Sequence, residues 1–581
     1  MVPTLIPRGT IGSVENKRAA IRIGVLVNGA SVHGWEYTIL QQLAADDRFE
    51  VCAFIEDATH RPKLSKFRRD RDWGRLPFNV VNRVEGKLSA RKYASAWPES
   101  INYPDDSFEI SSLNLAATTI KVMPNISKSG LIHRLSEGDL VKIRALNLDV
   151  MLRFGFNILR GDVLTAARHG IWSFHHADHR VNRGSPAGFW EVANGEMTTG
   201  TMLQRLTEDL DNGVVLRTAK YLTMRSSWNE NRRRAYAKST VMMIDALSEL
   251  ADTGSVTSPI DEASAAFQLF DRPLYLAPRP TQTARALLTI GRHTVNDVFR
   301  FRGFVYRWAL LVARGPLHGQ SLRRMQRLTA PAGTYWADPF VVHRNGETRV
   351  LFEDFDLTAG RGKISSARLT AKGFEDIQTA FAPDYHLSYP FPFEHQGELY
   401  CMPESYQSGA VELWKCIDFP TGWVKVRDLL RDVSAVDSTL IQHNERWYMF
   451  TNVDRVGLGD HCDELHIYTT DDPVSGEWTP HPANPVVSNA LNSRMGGAIV
   501  HNDNGALIRP AQRTGSFYGS GLFFQEIEEL TATTYRERLA EEIRPQWISG
   551  AVGLHHCHYN PNLSVLDICL RENKFGFRQK E

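Results

Sequence analysis

Residues 21–57, IRIGVLVNGASVHGWEYTILQQLAADDRFEVCAFIED, decide the first half of the fold. An apolar run (IRIGVLV) is followed by a stretch with helical spacing of apolar residues (GWEYTILQQLAAD), then by a second apolar run (FEVCAFIED). Strand, helix and strand in that order predict parallel strands joined by a right-handed crossover, and so an α/β sheet. Working outward, 60–110 is charged and irregular and reads as an insertion whose basic run (RPKLSKFRRDRDWGRL) is a solvated face. Periodicity resumes at SEGDLVKIRALNLDVMLRFGFNIL, which predicts a helix, a strand over 149–154 and a turn at Gly155. A helix (RGDVLTAARHG), a strand at 171–174 and a long helical pattern (WNENRRRAYAKSTVMMIDALSELAD) close the domain near 250. Gly24, Gly29 and Gly34 do not fit G-x-G-x-x-G, so dinucleotide binding has no support.

The texture then changes twice. Residues 251–303 hold prolines at 259, 273, 278 and 280 and one basic amphipathic helix (TARALLTIGRHTVNDVF), and read as a linker. That helix has the pattern of one that packs on a neighbouring domain or touches a membrane surface. From 304 onward short strands alternate with turns, and five related segments recur. With Asp338, Pro390, Asp437, Gly497 and His555 as landmarks, the steps are 52, 47, 60 and 58 residues. A unit of that length holding several strands predicts a β-propeller blade. Five units predict an all-β five-bladed propeller, with FVYRWALLVARG before the first unit completing the last blade. The expected organisation is a lead-in over 1–20, an α/β domain over 21–250, a linker over 251–303 and the propeller over 304–575.

Composition limits the partners. Against 67 Lys+Arg stand 66 Asp+Glu, a net charge of +1, which excludes a globally polybasic nucleic-acid binder. A hydrophobic share of 42% is too high for a disordered chain. The six cysteines (52, 401, 416, 462, 557, 569) form no Cys-x-x-Cys pair, which argues against a zinc ribbon and fits a reducing compartment. No apolar run reaches 18 residues, so no integral membrane segment is expected, and the first twenty residues lack a signal-peptide core. The expected location is cytoplasmic.

The chemistry concentrates in residues 170–216, GIWSFHHADHRVNRGSPAGFWEVANGEMTTGTMLQRLTEDLDNGVVL. A strand carries Ser173 and His175 to its C-terminal end, where ligands sit in parallel α/β sheets. A polar loop, Arg183-Gly184, a helix ending at Gly195, Thr199-Gly200-Thr201 and Leu210-Asp211-Asn212-Gly213 follow. This order resembles the formyltransferase family, which includes methionyl-tRNA formyltransferase and the sugar N-formyltransferases. The resemblance covers roughly 21–245 and implies a Rossmann-like domain that moves a formyl group from 10-formyltetrahydrofolate to an amine. It further implies that His175 is the imidazole at the reacting centre, Asp211 the carboxylate that orients it, and Phe154, Gly155, Phe156 and Ile158 the loop lining the pterin. Ser173 stands where the family has Asn, and loss of one oxyanion donor typically costs about 2.7–4 kcal/mol; His176 is the neighbouring helper. His176, Asp178 and Arg183 are the expected substrate contacts, with His179 in the same loop. A zinc reading of His176-x-Asp178-His179 fails at its first position, which would fall on Phe174, so no metal is assigned.

In the second half, Ala337-Asp338-Pro339 opens the first unit. It resembles the start of five-bladed glycoside-hydrolase-type propellers and of the propeller at the N-terminus of plant glucosamine inositolphosphorylceramide transferases. That resemblance implies acidic residues converging on a central funnel, here Asp338, Glu404 and Asp437, with Trp336, Tyr389 and Arg509 as possible lining. The cluster His555, His556 and His558 with Cys557 reads as blade packing. The expected function is N-formylation of an amino sugar in surface-glycan biosynthesis, with the propeller binding carbohydrate. Two alternatives stand beside it: a glycoside-processing enzyme with its site in the propeller, and a non-catalytic glycan-binding scaffold.

Overall fold

The first unit is built on a seven-stranded sheet. Its strands are β1 (Ile21–Val27), β2 (Phe49–Asp57), β3 (Thr118–Val122), β4 (Val150–Arg153), β5 (Ile171–His175), β6 (Thr198–Arg205) and β7 (Val214–Leu222). Their order across the sheet is β7-β6-β5-β4-β1-β2-β3. β1 pairs in parallel with both β2 and β4, β2 with β3, and β4 with β5, while β6 and β7 join antiparallel. The computed structural model describes residues 19–59, 75–92, 98–178, 180–208, 213–258, 273–457, 459, 461–515 and 519–573. The expected lead-in therefore lies almost wholly outside the described residues.

Helix α1 (Gly34–Ala44) starts where Glu36 accepts the backbone N–H of His33 at 2.8 Å, an N-terminal capping arrangement that satisfies an otherwise orphaned donor. Helix α2 (Leu76–Lys92) falls inside the stretch expected to be irregular. The helix expected from RGDVLTAARHG is only a single 3-10 turn, Asp162–Thr165, because Gly161 and Gly170, both at positive φ, confine it at each end. α3 (Glu137–Arg144) packs on the sheet through Leu140 and Ile143, and the short α4 (Phe189–Asn194) clusters with Phe78 and Trp228. α5 (Trp228–Thr253) runs from the Ser227 cap, whose hydroxyl accepts the Glu230 N–H, to Gly254 at φ +83°. One core gathers β1, β2, β4, β5, α1 and α5 around Ile23, Val25, Ile39, Trp172, Met243 and Leu247.

The stretch expected to be a linker is partly structural. Leu274–Tyr275 pairs with Arg183–Gly184, and α6 (Pro280–Gly303) sinks Ala286 into a cluster with Phe189, Trp190 and Trp228. The division between the two compact units falls within α6, at Thr294/Val295.

The second unit consists of five antiparallel sheets. Four are consecutive four-stranded sheets within 334–381, 388–431, 435–480 and 500–543. The fifth pairs Leu563–Asn573 with Phe304–Arg314 along eleven register positions, so the strand before the first sheet closes the last. The first strand of three sheets carries the same irregularity, a register shift with one residue in left-handed backbone. Those residues are Asp338 (φ +50°), Tyr389 (φ +42°) and Asp437 (φ +52°). Tyr389, not Pro390, is thus the equivalent of the two aspartates. The fourth sheet places Gly497 (φ +140°) in line, and only glycine fits, since a Cβ there would lie 1.8 Å from the Cys557 carbonyl oxygen.

Candidate functional site

The carboxyl ends of β4 and β5 lie side by side, with Trp172 in register with Leu152. Arg153 and His175 therefore emerge together at the edge where parallel sheets bind ligands. Both line a cavity of about 190 Å³, with Asn157, Ile158 and Gln204 among its walls. The His175 Nε2 lies 3.3 Å from the carbonyl oxygen of Asn182. That contact favours the Nε2–H tautomer and fixes the ring plane.

Ser173 is buried and its hydroxyl accepts a 2.9 Å hydrogen bond from Nε of Arg153. The same guanidinium donates through Nη1 to the carbonyl oxygens of Phe156 (3.4 Å) and Asn157 (3.1 Å). Burial pulls the Arg153 pKa down and Glu36 opposes that, but an arginine starts so high that it stays charged. Glu36 is itself 4% exposed. Burial pushes its carboxyl up to about 8, against the His33 N–H and the charge of Arg153. At neutral pH Glu36 is protonated, and the positive charge of Arg153 is left without a carboxylate counter-charge from that side.

His176 turns away from this cavity. Its ring lies 4.6 Å from Tyr236, 5.0 Å from Trp35 and 5.6 Å from Phe174, and its buried Nε2 has no hydrogen-bond partner among the described atoms. Burial drops its pKa to about 3, so it is a neutral ring in an aromatic box rather than a proton donor. Asp178 pairs with Lys220 at 2.8 Å and accepts the Arg180 N–H at 3.0 Å. The loop at Asp178 rests on Gly200, where a Cβ would meet the Asp178 backbone at 2.7 Å, which accounts for the glycine in Thr199-Gly200-Thr201. Arg183 lies on the two-residue strand that pairs with Leu274–Tyr275.

Of the four residues expected to line a pterin, Ile158 alone lines the cavity. Phe154 packs edge-on against Trp35 at 5.7 Å, and Phe156, at φ +63°, is buried near His133. Gly155 is required between them, because a Cβ would lie 2.6 Å from the backbone of Val27 and Asn28. Asp211 and His179 lie outside the described residues; Thr207, Glu208 and Gly213, on either side of 209–212, line the cavity.

Sequence reasoning missed Arg153, Glu36 and Glu191. Glu191 is 2% exposed and accepts from the Asn182 amide at 3.0 Å. Burial raises its pKa to about 7. It holds the residue whose carbonyl meets His175. The available signal was a lone charge inside an apolar pattern: Arg153 in VMLRFGF, Glu36 in GWEY and Glu191 in GFWEVA.

In the second unit the three expected acids stand together. Arg494 bridges two of them, with Nε 2.7 Å from the Asp437 carboxylate and Nη2 3.6 Å from Glu404. The Gln512 amide adds a 3.1 Å bond to Asp437. Asp338 accepts the Tyr389 N–H at 3.3 Å, and its own N–H reaches Asp567 at 3.2 Å. Burial, above all, pushes the Asp338 carboxyl up to about 7, with Asp567 and Asp437 adding repulsion and His555 opposing. Burial and then the Asp437 charge hold Glu404 well above its usual range, and Glu353 is raised by burial and by Asp338. Burial resists charge on His555, but Asp567 and Asp338 outweigh it and raise its pKa.

The blade-packing reading of the histidines needs correction at one position. His558 accepts the Val341 N–H, and His556 packs between Phe340 and Tyr389. His555 instead joins the acids, stacked on Trp308 at 3.9 Å. Among the described residues, Asp338, His555 and Asp567 place donor atoms within 4.8 Å of one another, close enough to share a cation. Trp336 is core beside Phe352, Tyr389 is wholly buried, and Arg509 is fully buried and paired to Glu537, so none of the three is funnel lining.

Residues 324–544 match the family model described as glucosamine inositolphosphorylceramide transferase 1, N-terminal. The Arabidopsis thaliana protein glucosamine inositolphosphorylceramide transferase 1 is 33% identical over 208 residues, 35% of this chain and 27% of that relative. The chain thus spans about a quarter of the length of the curated relatives it matches. Among solved structures, glycinamide ribonucleotide transformylase 1 from Symbiobacterium toebii aligns with 40% of this chain and 89% of its own, at 17% identity and a TM-score of 0.26. The family 117 glycoside hydrolase Zg3597 from Zobellia galactanivorans aligns with 45% of this chain and 90% of its own, at 13% identity and a TM-score of 0.31.

Proposed function

We propose that this chain is a transferase that moves a formyl group from 10-formyltetrahydrofolate to the amino group of an amino sugar at the His175 cavity. On this reading the all-β unit is a five-bladed propeller that binds the carbohydrate. One observation carries it: Arg153 and His175 share a cavity at the carboxyl edge of the sheet, and burial keeps Glu36 from cancelling the arginine's charge. Formyl transfer needs a group to handle the amine's proton and donors for the oxyanion that develops on the formyl oxygen. His175, held by the Asn182 carbonyl, suits the first task. Arg153 suits the second, and supplies a charged donor next to Ser173, where the family pattern has an amide. With the His175 Nε2–H given to the Asn182 carbonyl, Nδ1 is the atom that takes the amine's proton, and Asp211 is assigned the role of managing protons beside it.

The cavity walls fit the donor: Ile158, Leu159 and Leu206 offer apolar faces to a flat ring, while Asn157, Gln204 and Glu208 offer polar edges. The donor supplies the activated one-carbon unit; every other requirement falls on the chain itself. The amino-sugar acceptor is favoured by the name of the relatives, which contains glucosamine. The six free, buried cysteines fit a reducing compartment, and we place the enzyme in the cytoplasm. Among the described residues no helix is long and apolar enough to cross a membrane.

The test is turnover of 10-formyltetrahydrofolate with a panel of amino sugars and nucleotide-linked amino sugars, with calorimetry of a folate analogue alongside. Formylated product from the parent enzyme, lost in His175→Ala and in Arg153→Met, is the expected result. Folded protein that gives no heat with the folate analogue removes the reading.

A second reading is kept by the buried acids of the all-β unit, since a carboxyl raised to about 7 beside an ion-paired one is the division of roles that glycoside cleavage uses. Reducing sugar released by the parent and by His175→Ala, but not by Asp338→Asn or Glu404→Gln, would establish it. Glycan binding with neither activity would leave the scaffold.

A further inference from the structure

Helix α6 presents two apolar faces, and only one is covered. Thr283, Ala286 and Ile290 face the first unit, where Ala286 and Ile290 pack against the cluster of Phe189, Trp190 and Trp228. At 100° per residue, Leu287, Val298, Val295, Leu288 and Phe299 fall on another arc of roughly 120°. That arc lies open to solvent: Leu288 is 75% exposed, Phe299 71% and Val295 51%. Leu274 and Leu276, just before the helix, are 57% and 64% exposed. So many large apolar side chains exposed along one short stretch mark an interaction surface.

Charge decides what covers it. Arg292 and Arg285 follow Phe299 around the helix and flank the apolar arc on one side, and both are exposed. The helix's single acid, Asp297, lies on the far side of the arc. An apolar stripe bordered by arginines matches the layering of an anionic bilayer, acyl chains below and phosphates at the level of the guanidinium groups. A 24-residue helix with this pattern lies in the interface plane and does not span.

We propose that α6 docks the protein peripherally on an anionic lipid bilayer, with Leu288, Val295 and Phe299 inserted and Arg285 and Arg292 on the headgroup phosphates. The inference stands apart from the formyl-transfer reading, but it has a consequence for it. The covered face of α6 packs on α4, which carries Glu191, and Glu191 holds the Asn182 loop against His175. The same helix that would meet the membrane is therefore linked, through its covered face and α4, to the loop that holds His175.

Co-sedimentation of the full chain with phosphatidylcholine vesicles, with and without about a third phosphatidylserine, tests this directly. The expected result is binding to the anionic vesicles that weakens as salt is raised. It falls at least about tenfold in Leu288→Glu/Phe299→Glu, with unchanged circular dichroism and melting. Arg285→Gln/Arg292→Gln, which leaves the apolar arc intact, should lower binding to anionic vesicles only. Absence of binding to either vesicle overturns the proposal. So does binding unaffected by the Leu288/Phe299 pair, or a self-association in the ultracentrifuge that the same pair abolishes, which would make a second copy of the chain the occupant.

Discussion

Glu36→Gln isolates the electrostatic premise of the His175 site. Glu36 is 4% exposed, so its raised pKa needs little discount for solvent screening. Moving a carboxyl from an ordinary 4.5 to about 8 means that ionising it in the fold costs about 5 kcal/mol more than in the unfolded chain, at about 1.4 kcal/mol per tenfold. The sign follows from the direction of the shift. The folded state holds the proton more tightly, so the associated stability is complete below 4.5 and is lost progressively as pH rises to 8. Glutamine keeps an acceptor for the His33 N–H at similar volume and does not titrate. The two proteins should therefore match near pH 5, and Glu36→Gln should be the more stable by roughly 3–5 kcal/mol at pH 9. Urea titrations at pH 5, 7 and 9, read by hydrogen exchange in the peptide covering Gly34–Ala44, report this unit without interference from the other. Activity should follow a parallel course. Above pH 8 an ionised Glu36 offsets Arg153 and formyl transfer by the parent falls, while the glutamine variant holds its rate. Stability curves that run parallel from pH 5 to 9, or a variant weaker than the parent at pH 9, would refute the assignment of a neutral Glu36 beside a charged Arg153.

Two further outcomes are expected. Arg494→Met removes the cation shared by Glu404 and Asp437 and strands two buried carboxyls, so the all-β unit should lose about 3–5 kcal/mol, seen by calorimetry as a lowered melting transition while the other unit's transition stays in place. Gly155→Ala puts a methyl group 2.6 Å from the backbone of Val27 and Asn28, where no side-chain rotation relieves the clash, so the first unit should lose at least about 1–3 kcal/mol by urea unfolding.

What was legible in the sequence followed from periodicity and from local chemistry. β1, α1 and β2 were readable because their apolar residues keep the period of their element, and the closing strand Phe304–Arg314 because the repeat lacked one strand. Ser173 and His175 were placed at a strand end for the same reason. Arg153 escaped because its role depends on β4 and β5 lying side by side, a contact between residues 20 apart. His555 escaped because its partners, Asp338 and Asp567, come from opposite ends of the all-β unit, and no local pattern encodes ring closure. His176 was misjudged as a helper since adjacency in a loop says nothing about which way a ring turns; Trp35 and Tyr236, from α1 and α5, decide that. α2 was hidden because its mean hydropathy is low and its neighbours are charged, so the irregular surroundings masked the helical run.

The charge balance at the two sites argues for different partners. At the His175 site the buried Glu36, whose charge would oppose that of Arg153, is neutral at pH 7, so the arginine favours negative charge that develops during a reaction. In the all-β unit the order is reversed. Arg494 is matched by Asp437 and Glu404, His555 by Asp567 and Asp338, and Glu353 adds a further buried acid. Burial keeps part of this set protonated, with Asp338 raised to about 7 and Glu404 and Glu353 held well above their usual range, so the cluster offers hydrogen-bond donors and acceptors to hydroxyl groups rather than a large negative charge. An ammonium bound there would draw the proton off Asp338 and pair with it, so the set suits an unmodified amino sugar better than its formylated product, which carries no charge. Amino-sugar affinity at the all-β unit should accordingly fall when the amine is acylated, and calorimetry with glucosamine against its N-formyl derivative, on Arg153→Met so that no turnover intrudes, measures that difference. Equal affinities would show that the buried acids shape the fold and do not select the charge of the ligand.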